Sequence, residues 1–323
     1  MAGPDTHPPS APLSAAPLTA PDKSRLVRRA AMASVTVALV LMGLKLWAWW
    51  QSGSVAVLSS LTDSGLDALA SIVTLLAVRY AAKPPDEEHR FGHGKAEAFA
   101  GLFQAALVMT SAVLVGREAV VALLNPQPLS QSGAAIGVMG VSMVLTLGLV
   151  MFQAHVHRAT GSVAIAGDRL HYVGDLLGNL VVLLGVAVAG LWGWLYADAL
   201  AGLLVCSWLI WGAIQVLSEA ANQLMDRELD DQERERIAQI VAAVPGSLGL
   251  HYLRTRASGT HIHMQFHLDV PPDLSLVEAH ELMVAVENAL LGVYPGADIL
   301  IHPDPKGEAE PHGSDVFDPN GLR

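Results

Sequence analysis

Cysteine is all but missing from this 323-residue chain. Cys206 stands alone, which excludes an internal disulfide and a cysteine-type structural zinc site. Charge is scarce too. Asp, Glu, Lys and Arg make up 15% of the residues, against about 25% in an ordinary soluble domain. The chain is 52% hydrophobic with a mean hydropathy of +0.42, so a wholly soluble enzyme and a fibrous protein are both excluded. Basic residues form no stripe and the net charge is −11, which sets nucleic-acid binding aside. No HExxH and no GxSxG occurs, so the common zinc-hydrolase and serine-hydrolase signatures are absent.

What is present is apolar sequence in long runs. Six segments, near Ala31–Trp50, Val55–Ala81, Ala98–Leu124, Gly133–Val156, Val163–Gly190 and Ala197–Ala221, each approach or exceed the ~20 residues that cross ~30 Å of hydrocarbon as a helix. Lys23, Arg25, Arg28 and Arg29 precede the first segment, Lys83, Arg90 and Lys95 lie between the second and third, and Arg158 lies between the fourth and fifth. The alternate connections have no Lys or Arg. By the positive-inside rule both termini lie in the cytoplasm. The Pro/Ala/Ser-rich leader has no apolar core and reads as a disordered tail over residues 1–24, not as a cleavable signal peptide. Residues 25–225 then form a six-helix transmembrane domain.

The chain changes character after the last segment. Residues 226–305 contain 13 acidic and five basic side chains and read as a soluble cytoplasmic domain. The pattern predicts helix Asp231–Val244, strand Leu250–Ala257, strand His261–Val270, helix Leu276–Leu291 and strand Asp298–His302. In the second strand Ile262, Met264, Phe266 and Leu268 share one face, leaving His261, His263, Gln265 and His267 on the other. His261 and His263 are accessory ligands or simply an exposed polar face. Residues 306–323 are polar and rich in Pro and Gly, a second disordered tail.

Ionisable groups inside the apolar segments point to function. Asp63 and Asp67 lie four apart in the second segment, and His171 and Asp175 lie four apart in the fifth, so each pair shares a helix face. One charged side chain at the bilayer centre costs about 2.5–3.5 kcal/mol even on the lenient insertion scale. In antiparallel helices at 1.5 Å per residue, Asp63 and Asp175 come to a common depth of roughly 12 Å, and Asp67 and His171 to roughly 18 Å. Three carboxylates and one imidazole suit tetrahedral Zn2+ and its neighbours Fe2+, Co2+, Cd2+ and Ni2+. Metal binding requires deprotonated ligands, so metal and protons compete for the same atoms, which is the chemistry of an antiporter. The competing readings are a polar network that only joins helices, a metal-free proton relay, a membrane metalloenzyme, a membrane-anchored metal sensor and a passive channel.

Two further groupings lie outside the apolar segments. PPDEEHRFGHGKAEAFA places Asp86, His89 and His93 in one short connection, as a three-ligand exchangeable site or an ordinary solvated loop. In the soluble domain His267 and His302 end separate strands, Asp304 follows, and His280 comes from the helix between them.

DxxxD and HxxxD, together with that loop, QLMDREL, LRTR, EAH and IHPDP, give residues 25–305 a resemblance to the cation diffusion facilitator family, of the bacterial zinc and ferrous-iron efflux type. The resemblance implies six transmembrane helices followed by a cytoplasmic α+β metallochaperone-like domain of α-β-β-α-β order that dimerises. It implies a proton-coupled transporter of the bacterial inner membrane, not an enzyme, with divalent cations as substrate, no prosthetic group, and protons, lipid and a second copy of the chain as partners. Asp63, Asp67, His171 and Asp175 are then the transport site, Asp86, His89 and His93 a loop site, and His251, His267, His280, His302 and Asp304 a cytoplasmic-domain site. Lys95 and Asp226 become a charge interlock at the dimer hinge.

Overall fold

A computed structural model describes residues 18–53, 55–125, 133–192 and 196–307. Six long helices come first: α1 (Ala20–Ser52), α2 (Val55–Ala81), α3 (Ala96–Leu124), α4 (Gly133–Thr160), α5 (Val163–Trp192) and α6 (Ala197–Leu224). Among the described residues, five of them are long and apolar enough to cross a membrane. The remaining one, α5, carries Asp168, Arg169, His171 and Asp175 in its first half. Outward faces carry large apolar side chains such as Leu204 and Met151, which are exposed as contact with lipid tails requires.

The first helix begins upstream of the expected Ala31. Thr19 caps it by accepting from the Asp22 amide, and Pro21 lies in the first turn, where its missing N–H costs nothing. The helix therefore includes residues 20–24, which the expected tail had claimed. Residues 1–17 of that tail, and nearly all of the second, residues 308–323, lie outside the described residues.

Inside the bundle α3 packs along α6, α1 along α2, and α5 against α3, α4 and α6. A core of Ala98, Ala105, Val108, Val163, Leu170, Leu209 and Ala213 fills the α3–α5–α6 junction. Small residues set its spacing. A Cβ on Gly101 would fall 2.6 Å from Val163 Cγ1, and one on Gly167 2.8 Å from Gln104 Cβ, so α3 and α5 approach closely only because both positions are glycine.

The C-terminal domain runs α7 (Asp231–Ala242), β1 (Leu250–Ser258), β2 (His261–Val270), α8 (Leu276–Val293) and β3 (Asp298–Pro305), the predicted α-β-β-α-β order. The sheet order is β1-β2-β3, with β1 antiparallel and β3 parallel to β2. Ile237, Val241, Met264, Phe266, Leu268, Val286 and Leu290 form its core. The period-two reading of β2 holds for Met264, Phe266 and Leu268, which are fully or almost fully buried. Ser275 and Glu278 close a capping box at the start of α8.

Candidate metal centres

In the bundle, α2 contributes Asp67 and α5 contributes His171 and Asp175. His171 Nε2 lies 3.0 Å from Asp67 Oδ1 and 3.7 Å from Asp175 Oδ2, and the ligand atoms of all three lie within 4.8 Å of one another. The i,i+4 spacing on α5 puts histidine and aspartate on one face, and α2 brings the second carboxylate across. Asp63 stands one turn from Asp67 on α2 but is exposed and outside this group. The structure thus brings three of the four expected residues together.

Beneath this group lies a polar layer that sequence reading missed. Asp168 is fully buried; it accepts from Ser34 Oγ at 2.5 Å, Gln153 Nε2 at 2.7 Å and Gln104 Nε2 at 3.2 Å. Gln104 also donates to Thr74 Oγ1, and the Tyr172 hydroxyl bonds to Ser71 Oγ and the Ser34 carbonyl. Five helices meet in this layer. Asp168 is three residues before His171 on the same α5 face, and that spacing was the available signal.

The α2–α3 connection gathers Asp86, His89 and His93. Asp86 Oδ1 is 3.3 Å from His89 Nδ1, and Asp86 Oδ2 is 3.2 Å from His93 Nε2. The His89 amide donates to Asp86 Oδ1 at 2.7 Å. That backbone bond, ahead of the two imidazoles, holds the Asp86 carboxyl below the ordinary carboxylate range. His89 is half exposed, whereas His93 is buried against the edge of Tyr80.

Sheet register explains the third group. His251 pairs with His267 across the antiparallel ladder, and His267 pairs with His302 across the parallel one, so three imidazoles form one rung. Asp269 and Asp304 pair on the same two strands two residues later, which returns them to the same face. Asp304 lies 3.0 Å from His251, 2.9 Å from His267 and 3.2 Å from His302. Burial raises the Asp304 pKa, but the His267 hydrogen bond and the nearby imidazoles outweigh it and leave the carboxyl below its usual range.

His251, His267 and Asp304 have ligand atoms within 4.8 Å of one another. The structure does not bring His280 to them: it sits exposed on α8. Asp269, unforeseen as a partner, lies 3.2 Å from His251. Its position two residues after His267 was the signal that could have found it.

Lys95 and Asp226 do meet, at 2.9 Å. Arg256 of β1 joins them, 3.3 Å from Asp226. Burial opposes ionisation of Asp226, yet the Lys95 hydrogen bond and the two cations pull its pKa below the usual range. His263 lies 3.0 Å from Asp298, while burial, then neighbouring His263 and Lys23, hold His261 below the ordinary imidazole range. Neither joins a metal-type group among the described residues.

An apolar helix bundle with a histidine–carboxylate group in its interior, joined to a small cytoplasmic α+β domain, defines a membrane protein that handles cations. Comparison with known proteins sharpens this. Residues 31–225 match the family described as the cation efflux transmembrane domain, and residues 229–306 match the cytoplasmic domain of cation efflux proteins. The cation-efflux pump FieF of Salmonella arizonae is 42% identical over 281 residues, 87% of this chain and 93% of that protein. FieF of Cronobacter sakazakii is 44% identical over 285 residues, 88% and 94% of the two chains. A solved structure of the zinc form of CzrB shares 35% identity, covering 27% of this chain and 99% of that one, with a TM-score of 0.25. The chain belongs to the cation efflux, or cation diffusion facilitator, family: it is a membrane-integral transporter and not an enzyme.

Proposed function

We propose that this protein exports a divalent metal cation from the cytoplasm in exchange for protons, by alternating access around Asp67, His171 and Asp175. The observation that carries the reading is the imidazole of His171 held between two carboxylates inside an apolar bundle. A bare cluster of this kind is costly in hydrocarbon, whereas a cation or protons satisfy it. The donor set, one nitrogen with carboxylate oxygens, favours Zn2+, with Fe2+, Cd2+, Co2+ and Ni2+ as related cargo. Asp63 completes the set when its turn of α2 closes on α5.

Binding the metal requires neutral His171 and ionised carboxylates, and protonation removes both. Protons arriving from outside therefore displace the metal outward. On this reading the bundle spans the inner membrane six times with both termini cytoplasmic, and the C-terminal domain pairs with that of a second copy. The loop group and the His251/His267/His302/Asp304 group hold the same ions on the cytoplasmic side, and Lys95 with Asp226 ties the helix ends together at the hinge.

The test is Zn2+ uptake into inside-out vesicles carrying the purified protein. Uptake should rise when the lumen is made acidic and collapse when an ionophore dissipates the gradient. Equal uptake with and without the gradient would refute proton exchange.

A further inference from the structure

A cavity of about 650 Å³ opens where the helix bundle meets the cytoplasmic domain. Its walls come from the start of α1, the α2–α3 connection and the β1–β2 hairpin. Four cationic side chains line it: Arg25 and Arg28 from α1, Lys83 and Arg90 from the connection. They are among the basic residues that precede the first apolar segment and join the second to the third, and the fold brings them to one pocket in a chain of net charge −11. Among the described residues neither Arg28 nor Arg90 has a carboxylate within ion-pair reach, whereas Arg25 has Asp22 at 3.3 Å. The one carboxylate in the lining, Asp298, is engaged by His263 at 3.0 Å.

Two buried imidazoles complete the wall. His263 Nε2 and His93 Nδ1 are both buried with no hydrogen-bond partner among the described residues, and the side chains are 9% and 3% exposed. His93 faces Asp86 of the loop group through Nε2, leaving Nδ1 toward the wall, and His263 belongs to no three-ligand group with it among the described residues.

The cavity is held open by close backbone packing beside it. A Cβ on Gly94 would lie 2.2 Å from the Ser258 carbonyl oxygen, and one on Gly259, at φ +59°, 2.8 Å from the Gly94 oxygen. Ser24 and Thr260 hydroxyls bond across the same seam at 3.4 Å. The pocket is therefore built by the meeting of the two domains and belongs to neither alone.

We propose that this cavity binds a phosphoryl anion, and that the headgroup of an anionic lipid of the cytoplasmic leaflet occupies it. Guanidinium forks match phosphate oxygens in a bidentate manner. The site lies at the ends of α1 and α2 beside the C-terminal domain; resting on the topology proposed above, that is the cytoplasmic face, where basic pockets attract anionic lipid. A lipid seated against α1, the loop and the hairpin would bridge the two domains.

The test uses the full-length protein in a zwitterionic detergent, titrated with short-chain phosphatidylglycerol, short-chain phosphatidylcholine and inorganic phosphate. Binding is read by phosphorus NMR line broadening. Phosphatidylglycerol should bind, phosphatidylcholine should not, and Arg28→Gln/Arg90→Gln should weaken binding about tenfold or more, as loss of charge-assisted hydrogen bonds implies. Arg29→Gln, a neighbouring charge outside the lining, should leave it unchanged. If the double variant does not fold, Arg28→Gln and Arg28→Lys replace it, with the lysine variant retaining part of the binding. Inorganic phosphate binding with the same residue dependence, without the lipid, keeps the anion site and overturns the lipid as its source. Absence of binding by both probes, or an equal loss in Arg29→Gln, overturns the proposal.

Discussion

The intramembrane group and the cytoplasmic-domain group use the same side chains under opposite constraints. In the bundle, two helices supply Asp67, His171 and Asp175, inside an apolar bundle and above the buried Asp168 layer. In the C-terminal domain, three strands supply a rung of histidines with Asp304 beside it, at a sheet edge that water reaches. On the function proposed above, the bundle group gains by exchanging one cation for another, which is transport. The sheet group can hold a cation while the domain stays put, which is binding. On that proposal, position in the fold, more than ligand identity, separates a carrier site from a resident one.

The sharpest way to break this contrast is substitution in the bundle. His171→Ala or Asp67→Ala should lower Zn2+ flux by more than ~100-fold, since loss of a ligand exceeds the ~10–100-fold cost of losing a ligand's supporting partner. Metal bound by the cytoplasmic domain should be unaffected. Asp304→Ala should do the reverse: calorimetric titration should show affinity at the cytoplasmic group falling at least ~10-fold, with flux at saturating metal retained.

Smaller effects probe what supports each region. Gln153→Leu removes a donor from buried Asp168 and should destabilise the bundle by about 1–3 kcal/mol, read as a lower melting temperature in detergent. Gly94→Ala drives a methyl into the Ser258 carbonyl and should cost about 1–3 kcal/mol, with faster proteolysis at the seam between the domains. Asp226→Asn should cost on the order of 1 kcal/mol or less, because the pair with Lys95 is partly exposed. Its pH dependence has a definite sign. The folded carboxyl titrates below its ordinary range, so its contribution is present above the unfolded pKa near ~3.9 and is lost only as pH falls through the lower folded value. Wild type and Asp226→Asn should therefore differ by a constant amount from neutral pH down to about 4 and converge below it, as measured by unfolding at stepped pH.

Much of this was legible in the residues. Apolar runs placed the helices, and four-residue spacing put His171 with Asp175 on one face. Alternation in β2 assigned its buried side correctly at Met264, Phe266 and Leu268. What spacing could not supply was register and rotation. Asp63 has the same spacing to Asp67 as His171 has to Asp175, but its side chain stays outside the cluster, because helix rotation and rotamer decide which oxygens converge.

His251 reaches the rung beside a bulge between His251 and Arg254, with Tyr252 at φ +51°. A non-glycine residue in that conformation gives no sequence signal. His280 joined the expected group through the resemblance, yet α8 leaves it exposed in the chain. Asp168, Gln104 and Gln153 come from three helices, and no local pattern announces that they share hydrogen bonds. The true start of α1 was readable in Thr19, Pro21 and Asp22, but a scan for apolar residues passes over polar capping residues.

The most direct test of the separation between carrier and resident sites is to measure flux and bound metal in the same preparation of inside-out vesicles. Wild type, His171→Ala and Asp304→Ala would be compared at saturating Zn2+ under an imposed pH gradient. The account predicts that His171→Ala keeps metal on its cytoplasmic domain and transports none, while Asp304→Ala binds less and still transports. Gradient-driven transport by His171→Ala, or its loss in Asp304→Ala despite saturating metal and an intact fold, would contradict it.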